Sequence, residues 1–332
     1  MPSGKADAVE RQRDGSPRPA ARLGPGHAGT LRRVRVGIVI LPEQRWRDAR
    51  TRWTRAEEYG FAHAWTYDHL GWRDLVDGCW FDSIVTLTSA ASATSSIRLG
   101  TLVASPNFRH PVHFAREVTA LDDVSGGRLI LGLGAGAAAP SFDARVLGGP
   151  ELSPRERVDR FAEFVELLDL LLREQRTTWR GSYYEAVDAR TTPGCVQSPR
   201  VPFVVAANGR RSMGLAERFG EGWITMGGRA EDLESWWRSV ADRAARFEGS
   251  GDRYLMLDSA PRFSLSSREF FEEQVGRASE VGFTDVITHW PRPSSWYEGD
   301  EAVLEEVAAH VLPRLMRPQR AVNDGRRRHP GG

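Results

Sequence analysis

Eight times between residues 34 and 316 a short apolar, often β-branched run gives way to an amphipathic helical pattern. "VRVGIVI" (34–40) opens the series and "TDVITHW" (284–290) is its last strand. Such runs are apolar at nearly every position, as parallel strands buried on both faces must be. Regular β–α alternation predicts a parallel sheet with helical crossovers, and eight units over about 285 residues predict an α/β fold closed as a (β/α)8 TIM barrel. An open, doubly wound sheet would carry a glycine-rich dinucleotide turn after its first strand. Here the first strand runs into "VILPEQRW" instead. Segments 1–32 and 318–332 hold few large apolar residues and read as disordered tails around a barrel at 33–317. The long stretches 135–152 and 176–200 predict an insertion around the fourth strand and helix, lying over one end of the barrel.

In such a barrel the loops at the C-terminal strand ends converge, so these ends are the place to look for chemistry. The second strand ends at Asp68 and His69, the third runs into "ASPNFRHP", and the eighth ends at His289. Three later loops consist of small residues: "GLGAG" with Gly134, Ala135 and Gly136; "AANG" with Ala207, Asn208 and Gly209; and "TMGG" with Thr225, Met226 and Gly227. Small residues let backbone N–H groups approach an oxyanion closely, although the same residues also serve plain tight turns. His69 can exchange a proton near neutral pH, or simply hold a turn by hydrogen bonding. Arg109, Arg262 and His289 are the candidate substrate contacts, and His63 falls inside the second strand as a packed residue. No spacing of His, Cys, Asp or Glu suggests a metal site.

Composition removes several chemistries. Lys5 is the only lysine, so Schiff-base lysines and a P-loop lysine are excluded from the folded part. With 45 basic and 44 acidic side chains there is no electrostatic case for a nucleic-acid or anionic-membrane partner. Cys79 and Cys195 lie too far apart for a CxxC site, no apolar run approaches the ~18 residues of a membrane helix, and no secretion signal is evident. A cytoplasmic enzyme acting on a small molecule is the expectation.

"GFAHAWTYDHL", "IRLGTLVASPNFRHP", "FAREVTALDDVSGGRLILGLGAG", "RERVDRFAEFVELL" and "VPFVVAANGRRSMGLAERFGEGWIT" together resemble the bacterial luciferase-like oxidoreductases. That family divides between FMN-using monooxygenases and enzymes of the deazaflavin coenzyme F420. "YDHL" followed by Trp72 resembles the "SDH…PW" segment of the deazaflavin branch, and "AANG" resembles its phosphate-binding "AAGG". The resemblance implies F420 as cofactor, with FMN as the alternative, and hydride transfer to or from a C=C, C=N or carbonyl group. It puts Asp68, His69 and Trp72 at the reactive ring, with His69 as proton donor or acceptor. It also implies a non-proline cis peptide at Leu102–Val103, with cofactor contacts from Asn107 and the three small-residue loops. A homodimer is common in the family. Two departures matter: Ala137 stands where the sugar-phosphate dehydrogenases carry a catalytic glutamate, and their phosphate-binding lysine has no counterpart. Sugar-phosphate oxidation is therefore not expected, "GAGAAAPSF" predicts a widened pocket, and a non-catalytic flavin-binding barrel stays open as a third reading.

Overall fold

The computed structural model describes residues 34–137 and 141–316; the two expected tails lie outside them. Eight parallel strands close into a barrel: β1 (Arg35–Val39), β2 (His63–Thr66), β3 (Arg98–Thr101), β4 (Leu129–Leu133), β7 (Phe203–Ala206), β8 (Gly222–Thr225), β9 (Asp252–Met256) and β10 (Asp285–His289). Their order is that of the chain, and β10 pairs with β1 to seal the ring, Val39 opposite His289. Helices α1 (Trp46–Glu58), α2 (Ser83–Ala93), α3 (Pro111–Ser125), α5 (Pro154–Arg173), α6 (Arg210–Phe219), α7 (Leu233–Arg246), α8 (Arg268–Val281) and α9 (Glu301–His310) follow the eight strands in turn. Local signals set the helix ends. Ser153 and Glu156 form a capping box ahead of α5, with Pro154 at its start, and Gly126 ends α3 at φ 64°.

Period-two alternation divides the core in two. Val36, Ile38, Ala64, Leu99, Leu131 and Val205 face the helices, whereas Val39, Trp65, Tyr67, Leu102, Ile130, Val204, Ile224, Met256 and Ile287 fill the barrel interior. On β2 and its continuation, "HAWTYDH" thus sends the odd-numbered residues His63, Trp65, Tyr67 and His69 along the inner register, while Asp68 turns outward.

The expected excursion has two parts. Residues 134–137 and 141–153 at the top of the barrel include a short helix, α4 (Phe142–Arg145). The second part is a hairpin, β5 (Arg176–Arg180) and β6 (Glu185–Arg190), whose mostly exposed residues give little strand signal in the sequence. It lies along the side of the barrel, against α5, and not over an end. The Glu163 carboxylate on α5 accepts the amides of Ser182, Tyr183 and Tyr184 at the hairpin turn, and Tyr184 packs edge-on to His110.

Candidate active site

His69 emerges at the top of the barrel, on the inner register of β2. Its Nδ1 donates to the carboxylate of Asp143 on α4, which also accepts the Leu70 amide at 2.8 Å. Both Asp143 oxygens are thereby occupied, and the carboxylate is buried. The His69 carbonyl accepts Trp80 Nε1–H at 2.8 Å. With backbone and Nδ1 fixed, the histidine exposes one functional atom: Nε2 has no partner among the described residues. A carboxylate behind the opposite nitrogen sets the tautomer and steadies the imidazolium, as in acid–base dyads generally. Asp143 was not singled out from sequence. It lies in the weakly patterned insertion, 74 positions from its partner, and nothing local marks it.

Asp68 requires a correction. Its carboxylate faces the helix layer, because strand parity turns it away from the barrel interior. There it receives Arg109 Nε and Nη2, both at 2.7 Å, and Ser83 Oγ at 2.5 Å. Arg109 is corrected with it: the remaining Nη1 binds Glu117 at 2.7 Å, so this guanidinium is a buried strut and not a substrate contact. The pair keeps Arg109 protonated, its hydrogen bonds and charge partners outweighing the opposing effect of burial. Arg262 is exposed, donates to Ser266 Oγ at 2.7 Å and stacks over Phe270 on α8.

His289 does face inward, and it is fully buried. It joins Asp258 (Nδ1 to Oδ2, 2.8 Å) to Tyr67 (Nε2 to Oη, 2.8 Å), and Tyr67 joins Tyr297 (2.7 Å). Tyr297 stacks on His289 with centroids 3.5 Å apart, and Trp72 lies roughly parallel to it at 6.1 Å. Burial pushes the Tyr297 hydroxyl up to about 12 and lowers His289 against the pull of Asp258.

The small-residue loops behave differently from one another. The amides of Ala135, Gly136 and Asn208 have no partner among the described residues. Gly136 takes φ 75°, and a Cβ there would lie 2.5 Å from Asn107 Nδ2, so a larger residue would disrupt this loop. Arg157 donates to the Gly136 carbonyl at 2.9 Å and Arg160 to Asn107 Oδ1 at 2.7 Å, while the Nε of each is buried without a partner. Neither arginine was picked out as a site residue. Their i, i+3 spacing in "RERVDR" places both on one face of α5, which is the signal that could have marked them. Near Asn208, Gly209 is the N-cap of α6 and the Thr225 hydroxyl binds Asn208 Oδ1 at 2.7 Å. The third loop is instead a packed turn. Gly227 N–H goes to Thr225 Oγ1, the Gly227 carbonyl takes Ser239 and Arg243, and Met226 is exposed. Leu102 is buried, Ala207 carries its carbonyl on Trp223 Nε1, and the Leu102–Val103 peptide is cis, where the resemblance places one. Val103 packs against Gly134, where a Cβ would approach Val103 Cγ2 to 2.5 Å. Among the described residues no three His, Cys, Asp or Glu side chains gather as a metal site.

Comparison with known proteins agrees with this architecture. An F420-dependent glucose-6-phosphate dehydrogenase of Kineococcus radiotolerans is 35% identical over 228 residues, 65% of this chain and 66% of that protein. One from Beutenbergia cavernae is 29% identical over 323 residues, covering 81% and 93%. An F420-dependent hydroxymycolic acid dehydrogenase of Mycobacterium tuberculosis is 34% identical over 192 residues, 57% of this chain and 52% of that protein. The chain thus spans just under two thirds of the first of these relatives and about half of the last. Among solved structures, an F420-dependent secondary alcohol dehydrogenase superposes with a TM-score of 0.68 at 16% identity, covering 86% of this chain and all of that one. The monooxygenase RslO1 from Streptomyces bottropensis gives 0.64 at 21%, covering 85% and 99%. At these identities the structures establish the shared fold. The family model for luciferase-like monooxygenases matches residues 27–314, and the chain belongs to that family.

Proposed function

We propose that this protein is an F420-dependent oxidoreductase that moves a hydride between the deazaflavin and a small organic substrate, with His69 exchanging a proton at Nε2. The observation that carries the reading is the His69–Asp143 pair, which leaves one free imidazole nitrogen on the inner register at the barrel mouth. The names of the sequence relatives favour F420 over FMN. The residues present fit a cofactor of this kind. Open amides at Ala135, Gly136 and Asn208 can receive an anionic group, and Arg157 and Arg160 add positive charge beside them with unspent buried Nε–H donors. Asn107, Gly134, Ala207, Gly209, Leu102, Val103 and Trp72 border the same space in this reading, with Thr225 supporting Asn208 and with Met226 and Gly227 at the rim. When bound, the deazaflavin supplies the hydride chemistry; the chain orients the reactants and manages protons. A sugar phosphate is not the substrate in this reading, because the folded part has no lysine and Arg109 is committed to Asp68 and Glu117.

Fluorescence titration of the purified protein with F420 and with FMN tests the cofactor. Tight F420 binding with weak FMN binding is expected; the reverse order, with oxygen consumption on reduced FMN, would establish the monooxygenase alternative instead. A homodimer and a cytoplasmic location complete the proposal. The two cysteines, which are free, suit a reducing compartment, and no helix among the described residues is long and apolar enough to cross a membrane. Light scattering checks the dimer.

A further inference from the structure

Beyond His69, the barrel mouth holds a second chain of proton-bearing groups, and its direction follows by elimination. Asp258 receives the backbone amide of His289 at 2.7 Å, the Thr288 hydroxyl at 3.1 Å and the Ser264 amide at 2.9 Å. A carboxylate gathering three donors is an acceptor, so the His289 Nδ1 at 2.8 Å from it carries the hydrogen. Neutral imidazole then has only a lone pair at Nε2, and Tyr67 must donate to it across 2.8 Å. The Tyr67 oxygen is left to accept, so Tyr297 must donate to it across 2.7 Å. The chain therefore ends on the Tyr297 oxygen, with lone pairs unspent. Tyr297 holds a left-handed backbone at φ 62°, unusual for a bulky residue and sustained only where the surroundings impose it. Its ring is pinned between His289 and Trp72 while the residue keeps partial exposure at the barrel mouth.

Oxidising an alcohol takes a hydride from carbon and a proton from oxygen, and a deazaflavin that gains the hydride also gains a ring proton. These are two proton transfers at two places, and His69 Nε2 is one atom. We propose that Asp258, His289, Tyr67 and Tyr297 are a proton relay that takes the hydroxyl proton of an alcohol substrate, with Tyr297 as the catalytic residue in contact with it. The proton passes from the substrate oxygen to Tyr297 Oη as the Tyr297 hydrogen moves to Tyr67 and the Tyr67 hydrogen moves to His289 Nε2. The imidazolium formed is held by Asp258. The carbinol C–H electron pair leaves as hydride to the deazaflavin, the C–O bond becomes C=O, and His69 serves the ring-side proton. Reversed, the same path reduces a ketone. Asp258, Arg73 and Arg292 are the charged groups acting on Tyr297. The inference rests on the F420 reading and narrows its substrates to alcohols and carbonyl compounds.

F420-loaded protein should reduce its cofactor with at least one of propan-2-ol, cyclohexanol and 1-phenylethanol. Tyr297→Phe should lower kcat by about 10²–10³-fold with F420 affinity unchanged, and His289→Asn should flatten the pH–rate profile. Wild-type protein that binds F420 yet oxidises none of the three alcohols overturns the assignment, as does full activity in Tyr297→Phe. ¹⁵N-histidine NMR of the cofactor-free protein tests the relay separately. At pH 8 His289 should be neutral with hydrogen on Nδ1, and Tyr67→Phe should move its Nε2 resonance. The opposite tautomer, or an Nε2 signal indifferent to Tyr67→Phe, overturns the relay; failure to bind F420 overturns the cofactor reading, and the NMR result then decides the relay alone.

Discussion

At the bottom of the barrel the His63–Asp285 pair joins β2 to β10, at the top the His289–Asp258 pair joins β10 to the turn after β9, and the two differ in what each leaves unspent. At the bottom, Trp65 Nε1–H donates to His63 Nδ1 at 2.6 Å, so Nε2 carries the hydrogen that meets Asp285 at 3.0 Å. Arg35 then closes on Asp285 with two bonds of 2.7 Å and Thr284 adds a third at 2.6 Å. Burial alone would raise the Asp285 carboxyl, but the hydrogen bonds from His63 and Arg35 hold it at about 2. Every site on the His63 ring is used. At the top, His289 starts a chain that ends on an unspent hydroxyl oxygen, and beside it His69 keeps one nitrogen free. The residue types are the same; a closed circuit fixes the barrel, while an open one can exchange protons.

Replacing His69 with alanine should give the largest effect, a loss of about 10²–10⁴ in F420-linked turnover with cofactor binding retained. Stopped-flow absorbance checks it, and undiminished turnover would break the distinction between the two ends. Asp285→Ala should act on the fold instead, costing about 2–3 kcal/mol by leaving the buried His63 Nε2–H without an acceptor and Arg35 with Asp252 alone, with activity per folded molecule preserved. Denaturant unfolding reads the first part and active-site titration the second. Asp143→Asn comes next, with kcat falling roughly 10–100-fold as the His69 tautomer loses its anchor. An unchanged pH–rate profile in that variant would remove Asp143 from the site. A smaller effect follows from acid. Since Asp285 titrates lower in the folded chain than its ordinary 3.8, its contribution of roughly 2 kcal/mol is present above about pH 4 and lost as pH falls through about 2. Melting curves of wild type against Asp285→Asn over that window should converge. Gly136→Ala should be mildest, costing about 1–2 kcal/mol through its left-handed φ and the crowding of Asn107.

Much of the fold was legible because eight apolar runs and helical periods are local signals that chain connectivity converts directly into a barrel. The β5–β6 hairpin was missed because "RTTWR" and "EAVDAR" bury few residues each and read as polar loop. His69 could be found from its strand end alone. Asp68 beside it was misread, although the parity of "HAWTYDH" already separated the two. The long-range partners were not legible: Asp143, Tyr297 and Asp258 reach their histidines only once the ring closes, and no spacing along the chain encodes that meeting.

Trp65 sits on β2 between the two systems, donating downward to His63 while its inner-register neighbour Tyr67 belongs to the relay above. Its ring occupies the space that a side chain at Gly100 would need, since a Cβ there would fall 2.3 Å from it. This indole is therefore an insulating partition. It marks the level above which the loops of this barrel can be exchanged for new chemistry while the ion-paired foundation beneath stays as it is.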